Sequence, residues 1–183
     1  MILSGEDIKR FGLLRNADEK NMQAQGWDVR VEKIYRVVSK PYGEKIKEED
    51  YKEFVYWDEI PPNTSVLFKL MEIVDLSPRQ TGEHLTGYVN HLFNALVLPK
   101  SSLTRRGVTV HSAWWDAGYV GSGMVLVRTS DAPLKIKPGD SFGQMIFFAG
   151  NSTDFLYGGQ YQGEGIKGVY DSRALIEGTI FRK

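Results

Sequence analysis

Leu134-Lys135-Ile136-Lys137-Pro138-Gly139-Asp140, followed closely by Met145-Ile146-Phe147-Phe148, decides the fold class. Leu134 and Ile136 alternate with two lysines, the period of a strand with one buried face. Lys137-Pro138-Gly139-Asp140 places proline second and glycine third, as a type II turn requires. The apolar run at 145–148 reads as a core strand. The same grammar recurs outward in both directions. Residues 28–37 alternate with period two, and 124–127 form a buried-type strand. Pro61-Pro62-Asn63-Thr64 is a turn before a strand expected over 65–73. Residues 78–83 read as a connection and 87–98 as one or two strands. Many short strands between turns predict an all-β domain, a barrel or jelly roll.

Ser4-Gly5-Glu6-Asp7 opens like a capping box and predicts the main helix over 5–11, with Ile8 and Phe11 on one face. Residues 15–25 are a polar loop. Residues 40–58, rich in charge and aromatics, form a hairpin or surface excursion. Beyond Asn151 the chain is Gly-rich and polar until 174–181. The whole of 1–183 therefore reads as one domain, with 151–183 as a C-terminal arm.

The chain has 183 residues, of which 42 % are apolar, enough for one domain with a core. Formal net charge is zero, which argues against broad nucleic-acid binding. With no cysteine, neither a disulfide nor a thiolate metal site can form. Met1-Ile2-Leu3-Ser4 is too short for a signal core and acids follow at Glu6 and Asp7. No apolar run approaches transmembrane length. A cytoplasmic protein without membrane or nucleic-acid partners is expected.

Two segments carry chemistry. Leu98-Pro99-Lys100-Ser101-Ser102-Leu103-Thr104-Arg105-Arg106-Gly107 gathers the Ser101 and Ser102 hydroxyls with Lys100, Arg105 and Arg106, a combination suited to a polyphosphate or to a polar turn. Trp115-Asp116-Ala117-Gly118-Tyr119-Val120-Gly121 sets one carboxylate on a tight turn. Bound phosphate repels a carboxylate unless a metal or a water needs it. Together they suggest a nucleotide triphosphate site with a water-activating acid; a turn-capping Asp is the plainer alternative. Of Trp114 and Trp115, an alternating strand buries one and turns the other outward. His84, His91 and His111 form no ligand-spaced cluster and read as structural or surface residues.

In order along the chain, these segments resemble the dUTPase and dCTP deaminase superfamily, archaeal-type dUTPases most of all. Met1-Ile2-Leu3-Ser4 with Asp7-Ile8, Gly26-Trp27-Asp28-Val29-Arg30-Val31, the stretch 99–107, Trp115 to Gly121, and Pro138-Gly139-Asp140 with Gln144-Met145-Ile146-Phe147 carry the resemblance. It implies a distorted jelly roll of the dUTPase-like β-clip kind, one short N-terminal helix, and homotrimers with sites between subunits. It also implies hydrolysis of dUTP to dUMP and pyrophosphate with Mg²⁺. By the same resemblance Asp116 is the catalytic base. Lys100, Ser101, Ser102, Arg105 and Gln144 bind the triphosphate, Tyr119 lies under the deoxyribose, and Tyr161 joins them from the arm. Asp28 holds hydrated Mg²⁺ through water, or is a strand-end acid paired with Arg30.

Two departures matter. The family's deaminases place a glutamate ten residues after the aspartate; here that position is Leu126, between Val125 and Val127. In the arm, Tyr157-Gly158-Gly159-Gln160-Tyr161-Gln162-Gly163-Glu164-Gly165, deaminase-like members tend to carry Lys at Gln160 and Gln at Glu164. Glu164 then points away or reaches a metal, or Lys167 or Arg173 restores the missing charge. The alternatives to a dUTPase are a dCTP deaminase, alone or bifunctional, and a non-catalytic nucleotide-binding relative.

Overall fold

The computed structural model describes residues 1–54, 59–84, 87–150 and 155–166, with side chains described outside 80–91. Within them lie ten strands and two short helices: α1 (Gly5–Arg10), β1 (Leu14–Arg15), β2 (Trp27–Arg36), β3 (Ser65–Leu70), β4 (Ile73–Asp75), β5 (Arg79–His84), β6 (Gly87–Pro99), α2 (Ser101–Thr104), β7 (Thr109–His111), β8 (Val120–Gly121), β9 (Met124–Arg128) and β10 (Ser141–Gly150). Seven strands form one antiparallel sheet in the order β5-β6-β10-β2-β3-β9-β7, and β1-β4-β8 form a smaller one.

Period-two burial builds the core. Val29 and Val31 of β2, Val66, Phe68 and Leu70 of β3, Val127 of β9, and Phe142, Met145 and Phe147 of β10 are fully buried. Phe68 meets Phe142 edge-on at 5.1 Å. The long sheet curls on itself. Ala95 of β6 and Trp115 exchange two backbone hydrogen bonds of 3.0 and 2.9 Å, and Val97 N donates to Ser112 Oγ at 3.1 Å. That seam brings β6 against the end of β7 and nearly closes six strands into a distorted barrel of jelly-roll type. Gly143 permits the packing of β10 on β6, since a Cβ there would run into Val97 and the Leu98 carbonyl.

The turn Lys137–Asp140 forms as predicted: Gly139 has φ +94° and Asp140 N donates to Lys137 O at 3.0 Å. The Ser4 cap also forms, with Asp7 N donating to Ser4 Oγ at 3.1 Å. Trp115 is buried and Trp114 half exposed against Phe148, as alternation requires.

Other expectations are corrected. Residues 134–137 keep their alternating burial, yet they form one isolated bridge, Leu134 with Ile60, in place of a strand. The strand expected over 65–73 breaks at Met71-Glu72 because the Glu72 carboxylate turns inward to Arg30, accepting from its backbone N at 2.9 Å and its Nε at 2.7 Å. Residues 79–84 are not a connection but strand β5, paired with β6 after Pro78. The helix at the N-terminus is not alone: residues 101–104 close a second turn, with Thr104 N donating to Lys100 O and Arg105 N to Ser101 O, each at 3.0 Å. The excursion after β2 returns alongside it, tied by Arg36 N to Lys52 O and Phe54 N to Ile34 O, each 2.8 Å. The apolar pattern expected over 174–181 lies outside the described residues.

Candidate functional site

Neighbouring strands bring three of the predicted residues together. Asp28 on β2 and Gln144 on β10 are paired in register, and Gln144 also faces Leu98 at the end of β6. Lys100, just beyond β6, therefore reaches Asp28. Its Nζ lies 2.7 Å from Asp28 Oδ2 and donates to Ser141 Oγ at 3.2 Å. Asp28 is thus paired with Lys100, while Arg30 serves Glu72. Gln144 Nε2 donates to Gln25 O at 2.6 Å, which holds its amide on this face. Ser101 and Ser102 follow on α2 and Arg105 caps its end, all exposed. Two hydroxyls, two cations and an amide on one exposed face can receive phosphate oxygens.

Asp116 stands on a second platform. Tyr119 N donates to Asp116 O at 3.1 Å and Gly118 has φ +93°, a type II turn that only glycine fits without strain. The turn is bonded on every side. Ala117 N donates to Asn94 Oδ1 at 3.0 Å, Gly118 N to Leu76 O at 2.8 Å, and Tyr157 N to Ala117 O at 2.7 Å. An exposed carboxylate on so fixed a backbone can orient a water.

Asp116 borders a cavity of about 490 Å³, within the range of small-molecule sites. Its walls include Leu67, Trp115 and Met124, with tyrosines at 51, 119, 157 and 161. Among the described residues no Lys or Arg lines it. Tyr119 packs between Trp115 at 5.5 Å and Tyr157 at 5.6 Å. Its hydroxyl is buried and has no partner among the described residues. Burial, then the nearby Glu164 charge, push this phenol well above its ordinary value.

The arm runs beside the Asp116 turn. Gln162 joins the two, its Oε1 accepting from Val120 N at 3.0 Å and its Nε2 donating to Gly118 O at 2.8 Å. Glu164 does not point away. It lines the cavity, and Tyr51 Oη donates to its Oε1 at 3.1 Å. Burial, with the Glu164 charge beside it, raises the Tyr51 phenol far out of its usual range and keeps it a donor. Tyr51, Gln162 and Asn94 were missed by sequence reading, because each acts across a long separation with no local motif. Lys167 and Arg173 lie outside the described residues.

Among the described residues, the two platforms do not meet in these cavities. Lys100, Ser101, Ser102, Arg105, Asp28 and Gln144 line neither the 490 Å³ cavity nor the two cavities adjoining it. Among the described residues no three His, Asp or Glu side chains form a metal cage, and no helix is long and apolar enough to cross a membrane. His111 is exposed on β7; the side chains of His84 and His91 are not described.

A nearly closed β barrel with a carboxylate turn over a tyrosine-lined cavity is the frame on which known proteins can be compared. Residues 2–150 match the dCTP deaminase-like family model, and the chain belongs to that family. It is 28 % identical over 174 residues to a probable deoxyuridine 5'-triphosphate nucleotidohydrolase of Aeropyrum pernix, covering 91 % of this chain and all of that one. It is also 28 % identical over 165 residues to a dCTP deaminase of Pyrococcus horikoshii, covering 89 % and 92 %. In fold it is similar to a 2'-deoxycytidine 5'-triphosphate deaminase of Agrobacterium tumefaciens, at a TM-score of 0.59 and 19 % identity over 81 % of this chain and 49 % of that one. The relatives are enzymes of both kinds, and this chain is an enzyme.

Proposed function

We propose that the chain hydrolyses dUTP to dUMP and pyrophosphate. The observation that carries this reading is the pairing of an exposed Asp116 on a fixed turn with Leu126 where the deaminases hold their acid. Leu126 sits in β9 opposite Leu67 and His111, and neither flanking valine can accept a proton. Asp116 orients a water and takes its proton as the water oxygen attacks the α-phosphorus. The bond from that phosphorus to the bridging oxygen breaks, and pyrophosphate leaves. General-base help of this kind is worth roughly 10²–10⁴ in rate. Lys100 and Arg105, with Ser101, Ser102 and Gln144, hold the phosphates. Tyr119 occupies the floor under the sugar, leaving no room for a 2'-hydroxyl, and Tyr161 closes the wall from the arm.

Since none of these cavities joins the two platforms, the reading has a second copy complete the site. Exposed apolar side chains support such an assembly: Trp114 (51 %), Leu98 (50 %) and Ile2 (46 %) lie near Phe148 and the β6–β10 face. A homotrimer with sites between subunits is the arrangement proposed. The residues present fit a hydrated Mg²⁺ shared with the substrate, since that ion needs only one or two carboxylates beside phosphate oxygens. Asp28 would hold one of its waters once Lys100 turns to the phosphates, and the ion would offset the charge of the triphosphate.

Pyrophosphate release across dUTP, dCTP, dTTP and UTP with Mg²⁺ tests the reading: dUTP alone should turn over at full rate. Deamination of dCTP is the second reading, and Glu164 in the cavity favours it as an acid supplied by another segment. Ammonia release from dCTP would establish it, and its absence would remove it. Failure to release either product would leave a nucleotide-binding relative.

A further inference from the structure

Asp116 and Glu164 both line the 490 Å³ cavity, and each is shared with a different neighbouring cavity. Asp116 is shared with a neighbouring cavity near Asn94 and Phe155 that Glu164 does not line. Glu164 is shared with a polar cavity near Lys33, Lys47 and Lys69 that Asp116 does not line. If the α-phosphorus comes to Asp116 and the sugar to Tyr119, the base extends toward Glu164. There it meets the Tyr51 hydroxyl, the Glu164 carboxylate and the apolar walls of Ile46 and Met124.

Glu164 is aimed rather than loosely placed. Its backbone N donates to Tyr161 O at 3.1 Å, its backbone O accepts from Ser122 N at 2.8 Å, and its side chain accepts from Tyr51. A carboxylate offers about four acceptor positions, more than a single donor fills. It is a poor neighbour for phosphate and for a carbonyl oxygen. A base that has lost its water against this wall must present an N–H there, or a polar group is left unpaired. The Tyr119 hydroxyl, without a partner among the described residues, supplies a second polar point in the same cavity.

We infer that Glu164, held in place by Tyr51, is a specificity-determining acceptor that reads an N–H on the pyrimidine edge of the bound base. The inference rests on the reading of this cavity as the nucleoside site. Uracil meets the demand with its N3–H. A base alkylated at that nitrogen does not. Tyr51 is a positioning residue, acting through Glu164.

The test is calorimetric titration of the full chain with deoxyuridine and with N3-methyldeoxyuridine, neither of which carries phosphate. The wild-type protein is expected to prefer deoxyuridine by about tenfold or more, the range of one hydrogen bond to a charged group. Glu164→Ala should lower deoxyuridine affinity by about that factor and leave the methylated ligand unchanged, so that the ratio falls toward one. Glu164→Gln, whose amide oxygen still accepts, should keep most of the ratio, and Tyr51→Phe should lose part of it. Thermal unfolding of each variant checks folding; if Glu164→Ala does not fold, the glutamine and phenylalanine variants decide. Equal losses for both ligands, or a ratio untouched by the substitutions, would overturn the inference. Because no phosphate is involved, a failed pyrophosphate assay with the ratio intact sinks only the hydrolase reading. Turnover of dUTP with an indifferent Glu164 sinks only this one.

Discussion

Lys100 Nζ lies 2.7 Å from Asp28 Oδ2, so the residue expected to meet phosphate and the residue expected to meet the metal's water hold each other. The pair is partly buried, with side-chain exposures of 31 % and 13 %, and each partner masks the other's charge. A triphosphate with Mg²⁺ would exchange this one contact for two, Lys100 to phosphate and Asp28 to the hydrated ion. Binding of nucleotide and metal should therefore be coupled. Asp28→Asn is expected to raise the Mg²⁺ concentration needed for half-maximal turnover about tenfold, and Lys100→Met to raise KM for dUTP by a similar factor. Steady-state kinetics over a grid of both concentrations checks this; Mg²⁺ dependence unchanged in Asp28→Asn would contradict it.

Asp116→Asn should leave dUTP affinity within a few-fold and reduce kcat by roughly 10²–10⁴. The backbone bonds of the turn do not involve the carboxylate, so the loop should keep its shape. Single-turnover measurements beside equilibrium titration separate the two quantities. Equal loss of binding and rate would mean that Asp116 only caps its turn.

Tyr119→Phe removes a buried hydroxyl that has no partner among the described residues. An unsatisfied buried polar group costs about 1–3 kcal/mol, so the variant should unfold at a higher temperature without ligand. If the ring excludes UTP by occupancy, discrimination between dUTP and UTP should survive the change. Its loss would place the hydroxyl itself in sugar recognition.

Glu72, fully buried, pairs with the largely buried Arg30 at the break between β3 and β4. Removing one partner strands a buried charge, so Arg30→Met alone should cost about 3–5 kcal/mol, and pairing it with Glu72→Met should restore much of that. Desolvation raises the Glu72 carboxyl despite the Arg30 bonds, so its own contribution is largest at low pH and is lost as pH rises through its folded value. Asp75 has the opposite sign. Burial pushes it up, but the Ser77 hydrogen bonds and the Arg79 and Arg15 guanidiniums outweigh that and hold it below the usual carboxylate range. Its contribution is complete above the unfolded value near pH ~3.9 and is lost as pH falls through the lower folded value. Urea unfolding from pH 7 downward should therefore show acid loss of stability that Asp75→Asn flattens.

Local chemistry explains which features were legible. The turn at Pro138-Gly139, the Ser4 cap and the opposite fates of Trp114 and Trp115 depend on neighbours one to three residues away, and sequence displays those directly. The missed elements depend on partners far along the chain. Strand β5 exists because β6 is there to bond it, whereas residues 134–137 form an isolated bridge to Ile60 and no ladder. The site divides in the same way. Asp116, Tyr119 and Lys100 are visible as motif chemistry, whereas the Tyr51–Glu164 contact joins residues 113 positions apart and has no sequence signature.

Hydrolysis of dUTP in water enriched with heavy oxygen, followed by mass spectrometry of both products, tests the central claim most directly. Attack at the α-phosphorus by a water primed at Asp116 puts the heavy oxygen in dUMP and none in pyrophosphate. Label in pyrophosphate, or no turnover of dUTP while dCTP releases ammonia, would contradict it.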